Sequence, residues 1–339
     1  VNGCLVPGLI EAEVSTNSHL CADRFDAKIA LAVGTPYDAA FWASQTGVQI
    51  EILMSLDAMS FNSMITGVVD TAVIDPIGGI LRITGRDLSA KLIEAHTQTT
   101  FSNQTSSEIA TTIAQRHGLS PNVTPTSTLV GRYYQSEHDR ITLDQYTSTT
   151  TDWDLLASLA RNEGFALSVT GATLNFGSLI PSATAPCIIT PADCISLSLE
   201  RHLSLAGDIE VTVKSWNSYQ KNAFVQSVQS NAQSGAETGA GDLARRYVYV
   251  YPNLTPTQAL NFAQEKLSEL TAHECTIEAL LPGELQLTAA STFALIGTST
   301  EFDQVYQIES IDRRMSSKGG FTQRIRAQAA SPGQDPISS

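Results

Sequence analysis

The chain has 339 residues and a mass of 36.3 kDa, which bounds it to two or three domains of roughly 100–200 residues each. Hydrophobic residues make up 42% and charged residues only 16%, so the chain can bury sizeable cores and draws much of its polar surface from Ser, Thr, Asn and Gln. A net charge of −14 and a pI near 4.8 argue against a general nucleic-acid surface, which needs clustered Lys and Arg, and against docking on anionic lipid.

Residues 1–84 carry β patterning. A turn at Pro7-Gly8 precedes Leu9 to Val14. Phe25, Ala27, Ile29 and Leu31 alternate with Asp26, Lys28 and Ala30, the period of a strand with one buried face. Val48, Ile50 and Ile52 alternate in the same way. Ile65–Val69, Thr71–Ile74 and Ile80–Thr84 follow as three further short strands. Short strands broken by Gly, Pro and Asp predict a small antiparallel barrel or sandwich.

The pattern changes at Gly85. Asp87 is positioned to cap a short helical stretch through Leu88, Leu92 and Ile93. Thr105-Ser106-Ser107-Glu108 reads as a capping box, with Ile109, Ala110, Ile113 and Ala114 on one face and Gly118 as the left-handed terminator. A further helix has Asp152 as its cap, a stripe of Trp153, Leu156, Ala157 and Ala160, and Gly164 at its end. Phe165–Val169 and Thr173–Phe176, joined at Gly171, form a hairpin.

Pro181, Pro186 and Pro191 mark a boundary. Beyond it Ile195–Leu199, Ile209–Trp216 and Phe224–Val228 read as strands, and residues 229–242 read as a mobile loop. Tyr247, Tyr249 and Tyr251 alternate along the next strand. A helix starts at Thr255-Pro256 with Leu260, Ala263, Leu267 and Leu270 as its buried stripe. Thr276–Leu281, Gly283–Leu287, Thr292–Ile296, Gln304–Ile311 and Thr322–Ala327 are strands, and Ser331–Ser339 is a polar tail. The fold class is therefore α+β and mainly β. The division is residues 1–85, 86–180, 181–330 and the tail 331–339, with the first β region completed by part of 165–180.

Catalytic chemistry finds little support. The five cysteines are scattered and form no CxxC pair, which reads as small thiols in a chain folded in a reducing cytosol. The six histidines show no metal-ligand spacing, and no cofactor motif is present; Gly235, Gly239 and Gly241 lack the Lys-Ser/Thr of a phosphate loop. No apolar run reaches the roughly 18 residues of a membrane span, and the first twenty residues do not read as a secretory signal. Glu137-His138-Asp139 reads as a solvated turn; Glu137 with Asp139 or Asp154 is the only modest carboxylate pair for hydrolysis. Arg313-Arg314 and Arg324 with Arg326 either pair with neighbouring acids or face a protein partner. The three tyrosines belong to a core or an interface, with carbohydrate contact as the weaker alternative.

Three stretches resemble the phage tail baseplate hub family, the late control protein D-like proteins, which are related to the hub part of type VI secretion spikes. The first is Ile83-Thr84-Gly85-Arg86-Asp87-Leu88 followed by the Thr105–Gly118 helix with Glu108. The second is Asp152-Trp153-Asp154-Leu155-Leu156 through Gly164-Phe165. The third comprises Val213-Lys214-Ser215-Trp216, Leu281-Pro282-Gly283 and the closing Ser316-Ser317-Lys318-Gly319-Gly320-Phe321-Thr322. The order of the motifs matches along nearly the whole chain, and none of them is catalytic.

The resemblance implies two small antiparallel β-barrels with an α/β insertion between them, assembling as a homotrimer. Such a hub is not an enzyme. It joins a sixfold tail tube or distal tail protein to a threefold central spike, meets the C-terminus of the tape measure protein, and lets DNA pass without specific binding or membrane insertion. Because the chain stops at Ser339, the spike is expected to be a separate protein. The expected location is the tail baseplate of a virion, after folding in the host cytoplasm. The acidic balance is expected to line the channel. The alternative reading is a tail-associated peptidoglycan hydrolase.

Overall fold

A computed structural model describes residues 1, 3–18, 20–31, 37–56, 59–96, 101, 104–127, 129–130, 151–178, 187–203, 205, 209–217, 222–229, 245–251, 254, 256–289 and 291–330. The predicted 229–242 loop beyond Gln229, the Glu137-His138-Asp139 turn and the tail 331–339 lie outside the described residues.

The elements in chain order begin with β1 (Leu9–Asn17), β2 (Arg24–Ala30), α1 (Ala39–Ser44), β3 (Gln49–Met54), β4 (Asn62–Asp75), β5 (Ile80–Asp87) and α2 (Ala90–Glu94). Next come β6 (Gln104–Thr105), α3 (Ser106–Arg116), β7 (Ser120–Val123), β8 (Leu129–Val130), α4 (Asp152–Glu163), β9 (Ala166–Thr170) and β10 (Thr173–Gly177). The second half has β11 (Cys187–Ile189), β12 (Ser196–Arg201), β13 (Ile209–Asn217), β14 (Asn222–Gln229) and β15 (Arg245–Val250). It ends with α5 (Pro256–Ala272), β16 (Cys275–Pro282), β17 (Thr292–Leu295), β18 (Val305–Ser316) and β19 (Gly320–Ala329). The chain is mainly β, as its patterning predicts.

Two compact units result. Unit 1 is Val1–Ala183, Pro282–Ser291 and Glu309–Arg324; unit 2 is Thr184–Leu281, Thr292–Ile308 and Ile325–Ser339. Strands β18 and β19 each give one portion to either unit.

In unit 1 the main sheet runs β19-β18-β1-β2-β5-β4-β3. Alternation decides its two faces. Ala12, Val14, Phe25, Ala27, Ile29, Ile50, Ile52, Leu81 and Ile83 turn inward and form one core with Trp42 of α1. The two strands expected at Ile65–Val69 and Thr71–Ile74 are one strand, β4, whose register against β5 shifts between Val69 and Thr71. The extra residue, Asp70, breaks the alternation that the pattern was read from. The second core of unit 1 packs α3 and α4 on the small sheet β7-β10-β9. Leu88 and Leu92, Ile109 and Ile113, Trp153 and Leu156, and Leu174 and Phe176 are all buried there.

In unit 2, β12-β16-β19-β18 form one sheet, with β17 on β18 and β11 on β17. Phe293 and Tyr306 stack inside it at 5.8 Å. A second sheet, β14-β13-β15, carries α5 on one face. Ile209, Val211 and Val213 meet Ala259 and Ala263 across that contact. Tyr247 and Tyr249 pack into the same cluster, and Tyr251 lies 4.4 Å from the Phe262 ring. The tyrosine stripe is therefore packed against a helix rather than presented as a sugar platform.

Among the described residues the paired strands of each unit form open paths rather than closed rings. Residues 283–287, expected as a strand, belong to a loop that runs to residue 288. Glu284 folds it by accepting from the backbone N–H groups of Gln286 and Leu287, at 2.6 and 3.0 Å.

Candidate functional site

Helix α3 is built as its sequence predicts. The Thr105 hydroxyl accepts from Glu108 N–H at 3.3 Å, and the Glu108 carboxylate accepts from Thr105 N–H at 2.8 Å. Gly118 adopts φ +71° just beyond the helix, a left-handed conformation that suits glycine. Gly164 ends α4 in the same way, at φ +67°.

Two caps differ from expectation. Thr151, not Asp152, caps α4: its hydroxyl accepts from Asp154 N–H at 3.0 Å. Asp152 is 1% exposed and pairs instead with His117 Nε2 at 2.7 Å and Arg116 at 3.5 Å. Asp87 likewise sits before the cap of α2, which is Ser89. Its carboxylate accepts from the Ser89 N–H at 3.2 Å and from the Ser89 hydroxyl. A carboxylate buried at a helix entry needs donors, and the neighbouring chain supplies them.

Asp87 has a second acidic neighbour that the sequence did not single out. Asp87 N–H donates to the Asp23 carbonyl at 3.0 Å, and Asp23 Oδ1 accepts from Asn17 N–H at 2.8 Å. Burial pushes the Asp23 carboxyl up to about 7, with the Asp87 charge adding to the rise. Burial also lifts Asp87 to about 6, against the pull of the Ser89 hydrogen bonds.

Glycines mark the tightest approaches. A Cβ on Gly85 would lie 2.1 Å from the Val68 carbonyl oxygen and 2.4 Å from the Phe25 ring, so β5 admits only glycine beneath that ring. Gly283, following Pro282 at the end of β16, lies under the Phe321 ring, where a Cβ would come within 2.1 Å. Gly319 N–H donates to Ser316 Oγ at 2.9 Å in the β18–β19 turn, and Gly320 has φ +67°.

Several basic residues are held by acids or carbonyls. On the polar face of the unit 1 sheet, Glu11 accepts from Lys28 at 2.7 Å and from Arg314 at 2.6 Å. Arg82 pairs with Asp26, and Arg86 with Asp70. Arg326 reaches Glu278 at 3.2 Å in unit 2. Arg313 is buried and donates to the backbone carbonyls of Glu284 and Leu287, clasping the 283–288 loop. On the unit 1 sheet Lys28, Arg82, Arg86 and Arg314 each have a carboxylate partner, so these four cations are poorly placed to bind phosphate.

The motif residues are distributed over both units. Gly85, Asp87, Leu88, Thr105, Glu108, Gly118, Asp152, Trp153, Leu156, Gly164, Pro282, Gly283, Gly319 and Gly320 belong to unit 1. Only Trp216, on the exposed face of β13 in unit 2, combines a large apolar side chain with access to a partner. Among the described residues no group of three or more His, Cys, Asp or Glu side chains is placed to hold a metal ion. No helix among them is long and apolar enough to cross a membrane.

No family model and no curated protein sequence matches the chain. Solved structures do match. A tail protein from Neisseria meningitidis MC58 superposes over 97% of this chain and 94% of its own, with a TM-score of 0.70 and 14% identity. The 43 kDa tail protein of prophage MuSo2 from Shewanella oneidensis covers 96% of this chain and 95% of its own, with a TM-score of 0.69 and 16% identity. A type VI secretion system component of E. coli, described as structurally similar to the T4 tail proteins gp27 and gp5, covers 97% of this chain and 76% of its own, with a TM-score of 0.57 and 10% identity. In fold, then, this chain is similar to phage tail proteins and to a type VI secretion component.

Proposed function

We propose that the chain is a structural baseplate hub of a phage or phage-like tail, working by assembly rather than turnover. The observation that carries this reading is the match over 97% of the chain to a tail protein that is itself covered to 94%. In this reading the protein is a homotrimer that adapts a sixfold tube or distal tail protein to a threefold central spike. Its channel admits the tape measure C-terminus and then DNA, which passes without specific binding along an acidic wall.

The β regions at 1–85 and 181–330 close as two barrels within the trimer, around the 86–180 insertion, and the tail 331–339 stays polar. Three equivalent chains with two β units each give six similar units, which is the physical basis for meeting a sixfold ring. The paired cations of the unit 1 sheet support the reading, because a surface along a DNA path must not bind phosphate.

Immunogold labelling of particles released from the strain that carries the gene tests the proposal. Label is expected at the distal end of the tail. Label absent from particles, together with clearing of peptidoglycan in a zymogram by the purified chain, would overturn it in favour of a hydrolase.

A further inference from the structure

The turn that joins β4 to β5 is a tightly held apolar knob. Asp75 fixes it: Oδ1 accepts from the N–H groups of Ile77 and Gly78, at 3.0 and 2.8 Å. Gly79 follows in the left-handed region, at φ +63°. Turn tips are ordinarily built from Gly, Pro, Asn, Asp and Ser. Here Ile77 is 99% exposed, more than any other large apolar side chain among the described residues. The register places Val73 against Arg82 and Asp75 against Ile80, so Val73, Asp75 and Ile80 share one face of the hairpin. Val73 is 57% exposed, and Ile80 is exposed beside it. Arg82 is held by Asp26, and Asp75 has no cationic partner among the described residues. The knob is therefore apolar, held in shape and acidic by one carboxylate.

The face of the β14-β13-β15 sheet opposite α5 has the complementary character. Residues paired across a ladder point to one side of a sheet. The register sets Lys214 against Val225 and Val250, Trp216 against Ala223, and Thr212 against Val248. Trp216 is 54% exposed and Val250 73%, with Val225 and Val248 exposed as well. Contiguous exposed apolar surface marks an interaction site, and tryptophan is enriched among the anchors of such sites. Glu210 and Arg246, on the same face, lie 3.5 Å apart and cancel. Lys214 has no carboxylate partner among the described residues, which leaves this face positive in a chain of net charge −14.

We infer that the Ile77 knob of one copy docks on the Trp216–Lys214 face of a second copy. Two acidic chains repel over most of their surfaces, so a contact between them forms where an unpaired cation meets an unpaired carboxylate. Lys214 and Asp75 meet that condition, and each stands among exposed apolar side chains. The knob needs no ordering on docking, because Asp75 already holds the turn. Two copies of the face do not pair with each other, since that would set Lys214 against Lys214. The contact joins two different patches, so it is heterologous and can repeat around a ring. Three repeats are taken from the trimeric reading above, on which this inference rests; the pairing itself comes from the two patches.

Light scattering on the purified full chain, across a dilution series, tests it. The wild type is expected near about 109 kDa, three chains of 36.3 kDa. Ile77→Lys puts a cation on the knob, and Lys214→Glu puts an anion on the face. Both positions are exposed, and both substitutions leave the Asp75 carboxylate in its turn. Each is expected to weaken assembly about tenfold with unchanged melting, because each sets like charges together at the contact. Combined in one chain they place opposite charges across the contact again, and the double variant is expected to regain most of the loss. Wild-type assembly in both single variants would overturn the inference while leaving a trimeric hub in place, with the knob and the face free for other tail components. A double variant no better than the singles would overturn the pairing of these two patches. A wild type that stays a single chain at all concentrations would overturn the inference and the trimer together, leaving the tail location to be decided by the labelling experiment.

Discussion

The Asp152 carboxylate and the His117 ring, 35 residues apart, meet at 2.7 Å and tie the end of α3 to the start of α4. Asp152→Ala is expected to lower stability by about 2–3 kcal/mol, because it removes a buried charged acceptor from His117 and Arg116. Urea titration followed by Trp153 fluorescence reads this directly. Asp154→Ala, in the same turn but exposed, is expected to cost less than about 1 kcal/mol. Equal losses at the two positions would show that Asp152 serves the helix end rather than His117.

Gly85→Ala is expected to destabilise unit 1 by roughly 3 kcal/mol, since the added Cβ meets a backbone carbonyl oxygen as well as the Phe25 ring. Gly118→Ala meets nothing within 4 Å and carries only the left-handed backbone cost, roughly 1–2 kcal/mol. Thermal melts of the two variants should rank them in that order. The reverse order would mean that β4 and β5 separate easily at Val68.

The legible parts of this fold were local. Thr105, Glu108 and Gly118 lie within 14 residues and specify α3 without help from elsewhere. The strand alternation from Phe25 to Ile29 needs only the pleat. Asp152 was misread because Thr151 precedes it with an equally good cap hydroxyl, and because its true partner lies on another helix. Asp70 hid the continuity of β4, since one inserted residue inverts the alternation that follows it. Helix α1 has six residues and one buried side chain, Trp42, too short for a period to show. The candidate surface was half legible: Trp216 was singled out by motif, but its exposure depends on α5 taking the other face of the sheet.

Asp23 and Asp87 make stability depend on pH with a definite sign. Both carboxyls titrate above the unfolded value of about 3.9, at about 7 and about 6. The native state therefore holds more protons than the unfolded chain between about pH 4 and pH 7. Their contribution is fully present below pH 4 and is lost as pH rises to about 7. Asp23→Asn keeps an acceptor for Asn17 N–H and removes the titration. Its melting temperature, relative to wild type, is expected to rise from pH 4 to pH 7 and level off above that. A constant difference across the range would rule out titration of Asp23 as a source of the dependence.

Phe262 joins the aromatic stripe to α5, with Tyr251 at 4.4 Å and Tyr249 at 6.0 Å. Phe262→Ala is expected to cost roughly 3 kcal/mol and to loosen the β14-β13-β15 sheet. Hydrogen exchange at Val211 and Val213, whose side chains are fully buried, should accelerate. Unchanged exchange there would mean that α5 is held by Ala259 and Ala263 alone.

The division of β18 and β19 has a genetic consequence. The polypeptide passes from one unit to the other five times, at residues 183, 281, 291, 308 and 324. Neither unit is a contiguous cassette that recombination can lift out as one stretch. A stop codon after residue 183 would not leave a shortened but intact piece. It would strip from unit 1 the Glu309–Arg324 segment that supplies β1 with its ladder partners from Ser310 to Ser316. Exchange of either unit by recombination must therefore move several separate segments at once.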